Sequence, residues 1–199
     1  MRLYLYNPVT GDVLDHKPKL RPRTCFIMTK IGSQITKEIR TIRKSLSKCL
    51  EKQSFHELDA AKEIHGRDFL QKIWKMILSV PIGIAIISDD LSANTRANIF
   101  YELGSLQAYG KETIIIKTKN ANIPSDFIRT EYIEFENNKY KKFGKDLENY
   151  FEKINERADY YVELSKDTKK VKSLSKDYLH RAYLITGDKE LLKSDMIKS

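Results

Sequence analysis

The chain has 199 residues, of which 41% are hydrophobic and 32% charged, and its formal net charge is +9. That length holds one domain with a real core and an added element, and the charge suits an anionic partner: a nucleotide, a nucleic acid or a membrane surface. Composition excludes a disulfide scaffold, because the only cysteines are Cys25 and Cys49 and they form no Cys-x-x-Cys pair, so a reducing, cytoplasmic setting is expected.

The opening MRLYLYNPVTGDV lacks the apolar stretch of a secretion signal. Alternation around Asn7-Pro8 and Gly11-Asp12 predicts a small hairpin, followed by a basic, proline-broken linker. TCFIMT, 24–29, reads as a strand buried on both faces. Ile35, Ile39, Ile42, Leu46 and Cys49 recur at helical spacing and predict an amphipathic helix over 33–51. SFHELDAA suggests a weaker strand, and GRDFLQKIWKMILSV a helix with Phe69, Ile73, Trp74 and Ile77 on one face. IGIAIIS, 82–88, is the clearest buried strand, and the longest apolar run, around VPIGIAII, is too short to cross a bilayer. ANIFYELGSLQAYGK, 97–111, follows as a helix. ETIIIKT, 112–118, and EYIEFE, 131–136, are two further strands, and KKFGKDLENYFEKINERA is a closing helix.

Strands and helices that alternate with short connections predict a five-stranded parallel sheet with helices on both faces. The expected organisation is an N-terminal hairpin and linker over 1–23, an α/β domain over 24–157 and a helical C-terminal extension over 158–199. In the extension, Tyr178, Leu179, Ala182, Tyr183 and Leu184 mark a helix that Gly187-Asp188 ends, with a short second helix after it.

Open parallel sheets bind ligands beyond the carboxyl ends of their strands. TKIGS (29–33), LDAAKEIHGR (58–67) and SDDLSANTRAN (88–98) should meet there. They make Thr29, Lys30, Gly32, Arg67, Asp89, Asn94 and Asn98 candidate substrate-binding residues, with Lys30 and Arg67 suited to a pyrophosphate. Glu102 sits inside the apolar helix. At roughly 100° per residue, Ile99, Leu103 and Leu106 form its core stripe. Glu102 lies on the shoulder, beside Asn98, Ser105 and Tyr109. Partial burial raises a carboxyl pKa and a nearby helix N-terminus lowers it; the residues alone leave that contest open. Gly104 is expected to admit a close approach by a backbone or a ligand. Tyr101, next to Glu102 in sequence, reads as a packing residue.

Three segments carry a resemblance. CFIMTKIG (25–32) resembles the first strand and loop of a group of bacterial TIR-like proteins. GIAIISDD, followed by NIFYELGSLQAYGKETIIIKT, is similar to the group's third strand, its YELG helix and its fourth strand. IPSDFIRTEYIEF resembles its ending, so the match spans about 24–136. The group is related to nucleoside 2-deoxyribosyltransferases and to Toll/interleukin-receptor domains. The resemblance implies a flavodoxin-like fold, cleavage or exchange at an N-glycosidic bond, Glu102 as the catalytic carboxylate and NAD as a substrate rather than a resident cofactor. It also implies work in anti-phage immunity, as a homo-oligomer or an assembly with a defence-system partner. The chain departs from the group at Met28-Thr29-Lys30, where proline and phenylalanine are usual, and in the longer, more basic SDDLSANTRAN.

Other chemistries fit poorly. HELDAAKEIH places Ala60 where a zinc-protease motif needs histidine, and His56 and His65 lack partners at metal-ligand spacing, so no metal is expected. No glycine-rich phosphate loop occurs. The lysines of SKDTKKVKSLSK lack the aromatic interleaving of RNA-binding modules. The alternatives to a glycohydrolase are a nucleotide sensor without turnover, an enzyme of the deoxyribosyltransferase kind and a nucleic-acid-binding adaptor, of which the last is the least supported.

Overall fold

Period-two alternation of apolar side chains builds the centre of the molecule. The computed structural model describes residues 19–30, 35–59, 69–127 and 131–193. Five strands form one parallel sheet: β1 Thr24–Met28, β2 His56–Asp59, β3 Ile82–Ile87, β4 Glu112–Thr118 and β5 Tyr132–Phe135. Their order, β2-β1-β3-β4-β5, is the flavodoxin-like one, so the expected fold class is the observed one. The hairpin expected near the N-terminus falls within 1–18, outside the described residues.

The helices are α1 Lys37–Lys52, α2 Phe69–Ser79, α3 Ala93–Ala108, α4 Tyr140–Asp167, α5 Lys172–Thr186 and α6 Glu190–Lys193. Alternate strand residues divide between two apolar layers. Cys25, Ile27, Ile84 and Ile86 pack with Ile42 and Leu46 of α1 and Phe143, Leu147 and Phe151 of α4. Phe26, Met28, Ala85 and Ile87 face the other way, onto Ile73 and Ile77 of α2 and Ile99, Leu103 and Leu106 of α3. Both cysteines are buried with free thiols, and burial pushes the Cys49 thiol up to about 11. They are packing groups, not nucleophiles.

One glycine seats α3 on the sheet. A Cβ at Gly83, near the start of β3, would clash with Leu106 Cδ1. The helix lies directly on the strand backbone there, and any side chain would lift it. The helix also starts earlier than its apolar pattern suggests, at Ala93 rather than 97. Ser92 is the reason: its hydroxyl accepts from the Thr95 N–H at 3.2 Å. A serine cap outweighs the weak helix propensity of the Asn-Thr stretch behind it.

The C-terminal helices share the core. α4 runs without a break through position 157, where the sequence reading placed a boundary. Its Ala158 joins Ala182 and Ile185 of α5 in the same layer as Cys25 and Ile84. Gly187 ends α5 in the left-handed conformation at φ 78°, as its place in the sequence suggests. Among the described residues, no helix is long and apolar enough to cross a membrane.

Candidate functional site

The carboxyl edge of the sheet gathers part of the expected set. Thr29 and Lys30 leave β1, and Ser88, Asp89 and Asp90 leave β3. The Ser88 hydroxyl donates to Asp90, whose other oxygen lies 3.9 Å from Lys30 Nζ. Thr118 Oγ1, at the end of β4, donates to Asp89 Oδ1 at 3.2 Å. Asp89 and Thr118 line a cavity of about 290 Å³ with Asn120, Glu136 and Asn137. Lys30 therefore shares its charge with Asp90, and Asp89 is held toward β4. Thr29 is buried, and its hydroxyl finds no partner among the described residues. Gly32 and Arg67 lie outside the described residues.

The early start of α3 moves two candidates off the loop. Asn94 lies in the first helical turn and Asn98 in the second, and both are exposed. It also moves Glu102 down the helix. At about 1.5 Å per residue, Glu102 is roughly 13 Å from the first residue of α3, beyond the turn over which a helix dipole acts. Burial decides the contest that the residues alone leave open, and it pushes the Glu102 carboxyl up to about 7. The carboxylate makes no hydrogen bond and no ion pair among the described residues. It bonds to none of the residues expected to join it at the sheet edge.

Both flanks of α3 are aromatic. On one, Phe127 stacks on Phe100 at 4.9 Å between ring centroids. Its ring lies 3.8 Å from where a Gly104 Cβ would be. Gly104 thus faces an aromatic ring at ordinary contact distance, which corrects the expectation of an approaching backbone or ligand. On the other flank, Trp74 of α2 meets Tyr101 edge-on at 6.3 Å and Tyr109 at 5.6 Å. These tyrosines are about two turns apart, so the indole covers the helix surface between them, where buried Ser105 sits. Glu102 is one i, i+3 step from Ser105 on that surface.

Trp74 is the residue that sequence reasoning placed only in the core. It is buried, and its indole N–H has no acceptor among the described residues. Helical periodicity registers the apolar body of a tryptophan and says nothing of the partner its N–H finds. Among the described residues, no group of His, Cys, Asp and Glu is arranged to hold a metal ion. The arrangement offers a half-buried carboxyl that burial raises to about 7, on the helix facing an unpartnered indole N–H, and a polar cavity at the sheet edge.

No protein-family model matches the chain, and no curated protein matches it in sequence. Solved structures of similar architecture exist. A 2-deoxyribosyltransferase of the psychrotolerant bacterium Bacillus psychrosaccharolyticus is similar over 63% of this chain and 90% of its own, with 14% identity and a TM-score of 0.46. A CMP N-glycosidase of Clostridium botulinum is similar over 64% of this chain and 98% of its own, with 20% identity and a TM-score of 0.45. Likeness at this distance assigns no residue a role.

Proposed function

We propose that the chain cleaves the N-glycosidic bond of NAD or a related nucleotide, with Glu102 as the carboxylate at the reacting sugar. The observation that carries this reading is a half-buried carboxyl with no partner among the described residues, raised by burial to about 7 on the helix that bears the YELG motif. Structural glutamates on helix shoulders find a lysine or a cap; perturbed, unpaired carboxylates gather at functional sites.

The chemistry suits one carboxylate. Breaking the bond passes through an oxocarbenium-like transition state, which a negative oxygen against the sugar stabilises or captures. Nicotinamide leaves NAD as a neutral molecule, so no general acid is required. The nicotinamide ring of the substrate is cationic, and a cation beside Glu102 favours its ionised form. Binding would thus convert a carboxyl that is half protonated near pH 7 into the working carboxylate. In this reading Lys30, which also lies near Asp90, would meet phosphate charge, and Asp89, Asn94 and Asn98 would supply groups for ribose hydroxyls. Thr29, Gly32 and Arg67 complete the proposed binding set. The same reading puts the protein in the cytoplasm, acting in anti-phage defence as a homo-oligomer or with a defence partner, with 158–199 as an extension of the catalytic domain.

The test is nicotinamide release from NAD by concentrated protein, beside Glu102→Gln. The wild type should turn over and the folded mutant should lose at least about a hundredfold in rate. Its kcat/KM should rise with pH through a limb near 7, because the ionised form is the active one. A falling limb there would make Glu102 an acid instead, and equal turnover in both proteins would remove it from the chemistry.

A further inference from the structure

The α2–α3 interface holds a buried N–H with no acceptor and, on the facing helix, a half-buried carboxylate with no protein partner among the described residues. Trp74 brings the N–H, and Glu102 brings the carboxylate. An unpaired buried donor costs about 1–3 kcal/mol, so native proteins keep few of them. Here the group it lacks stands on the neighbouring helix. The indole lies across Tyr101 and Tyr109, and Glu102 is one i, i+3 step from the surface it covers.

We propose that Trp74 is the hydrogen-bond donor that holds the ionised Glu102 carboxylate in its working position. It is a positioning residue, and the inference rests on the reading of Glu102 as the catalytic carboxylate. A glutamate side chain turned toward the indole would give the buried N–H its acceptor, and a hydrogen bond in a partly desolvated interface is electrostatically stronger than one in water. An N–H donor suits the task better than an ammonium. A lysine here would hold the carboxylate ionised but would repel a cationic substrate, whereas a neutral indole leaves the carboxylate's charge available to the sugar.

Other charged and titratable groups surround this interface. On α2 these are Lys72, which has interactions of its own, and Lys75, which is exposed. Tyr101 and Tyr109 stand against the indole, and Arg96, nearer the start of α3, has a buried Nε that also finds no partner among the described residues. Lys30, after β1, pairs with Asp90. Lys111, past the end of α3, donates to the Leu78 carbonyl at 3.1 Å. No hydrogen bond or ion pair joins any of them to Glu102.

The chain has a single tryptophan, so its indole fluorescence reports on Trp74 alone. The wild-type emission should titrate with a midpoint below the value of about 7 that burial alone sets for the unpaired carboxyl, because the N–H favours the ionised form, and the transition should vanish in Glu102→Gln. Trp74→Phe keeps the ring packing and removes the N–H. It should lower kcat about tenfold at neutral pH, the weight of one hydrogen bond to a charged group. It should leave KM nearly unchanged and move the ascending limb of kcat/KM to higher pH. A flat emission profile, or a wild-type limb in Trp74→Phe, would overturn the proposal. A Glu102-dependent emission change in a protein that cleaves no nucleotide would support the pairing and overturn the proposed function, so the two fail separately.

Discussion

The two halves of α3 are finished in opposite ways. Past its C-terminal end nearly every polar group is taken. Arg181 of α5 donates to the Gly110 carbonyl at 2.6 Å and to Asp177 at 2.7 Å. Lys111 closes the end of α2 at Leu78. Glu112, at the start of β4, accepts from Tyr161 at 2.6 Å and from Arg157 at 3.1 Å. Gly110 turns the chain at φ 63°, and a Cβ there would stand 2.5 Å from the Arg181 guanidinium. Around Glu102 and Trp74, only a few turns away, a half-buried carboxylate and a buried N–H go without partners among the described residues. Thr29, Arg96 and Tyr150 also carry buried polar atoms without partners there. What sets the α2–α3 surface apart is an unpaired N–H on the helix facing a carboxyl that burial raises to about 7, and stability given up to keep reactive groups available marks a working surface.

That contrast can be broken first at Glu102. Its carboxyl is raised from 4.5 to about 7 in the folded state, so between those values the folded protein holds a proton that the unfolded chain has released. Stability then falls as pH rises through that window and stays lower above it. Replacing Glu102 by glutamine removes this penalty. At pH 8 the variant should be more stable than the wild type by on the order of 3 kcal/mol, and near pH 4 the two should match. Urea denaturation at both pH values reads the difference, and a variant no more stable at pH 8 would mean that the carboxyl is not held away from water. Gain of stability with loss of turnover is the signature of a functional group.

A smaller effect is expected at the seat of α3. Gly83→Ala drives a methyl into Leu106, which is fully buried and has little room to yield. Overpacking of this kind costs about 1–3 kcal/mol. Because the strain falls on the helix that carries Glu102, turnover should drop with stability. Full activity in a destabilised Gly83→Ala would show that the site tolerates a displaced helix.

The satisfied end should answer differently again. Arg181→Ala removes the donor to Gly110 and leaves a carbonyl that water can reach, a loss of about 1 kcal/mol. Thermal denaturation should register it, while the pH limb of the reaction stays where it was. A limb that moves with Arg181 would tie the C-terminal helices to the electrostatics of the site.

Much of the architecture was legible because it follows from local pattern. Short, β-branched apolar runs such as IGIAII read as strands covered on both faces, and the order of strands and helices leaves few topologies. The early start of α3 at its Ser92 cap is not legible in the apolar pattern, because that periodicity begins only at Ile99, after the helix itself begins. Glu102 was found through the YELG helix and its place on the apolar shoulder, yet the direction of its pKa was not, since that depended on its distance from the helix start. Trp74 was missed because its body belongs in a core and only its N–H does not.

By itself the sequence determined the parallel sheet, its helical layers, the αL stop at Gly187 and a carboxylate on the flank of the helix after β3. These rest on periodicity, propensity and turn chemistry, which act between near neighbours in the chain. Tertiary structure alone decided that Glu102 lies half-buried and unpaired among the described residues, that Trp74 lies across the neighbouring surface of the helix, and that Arg181 closes the far end of the helix. These depend on which side chains meet across helices far apart in sequence. Burial and the want of a partner are properties of the packed molecule, not of any segment of it.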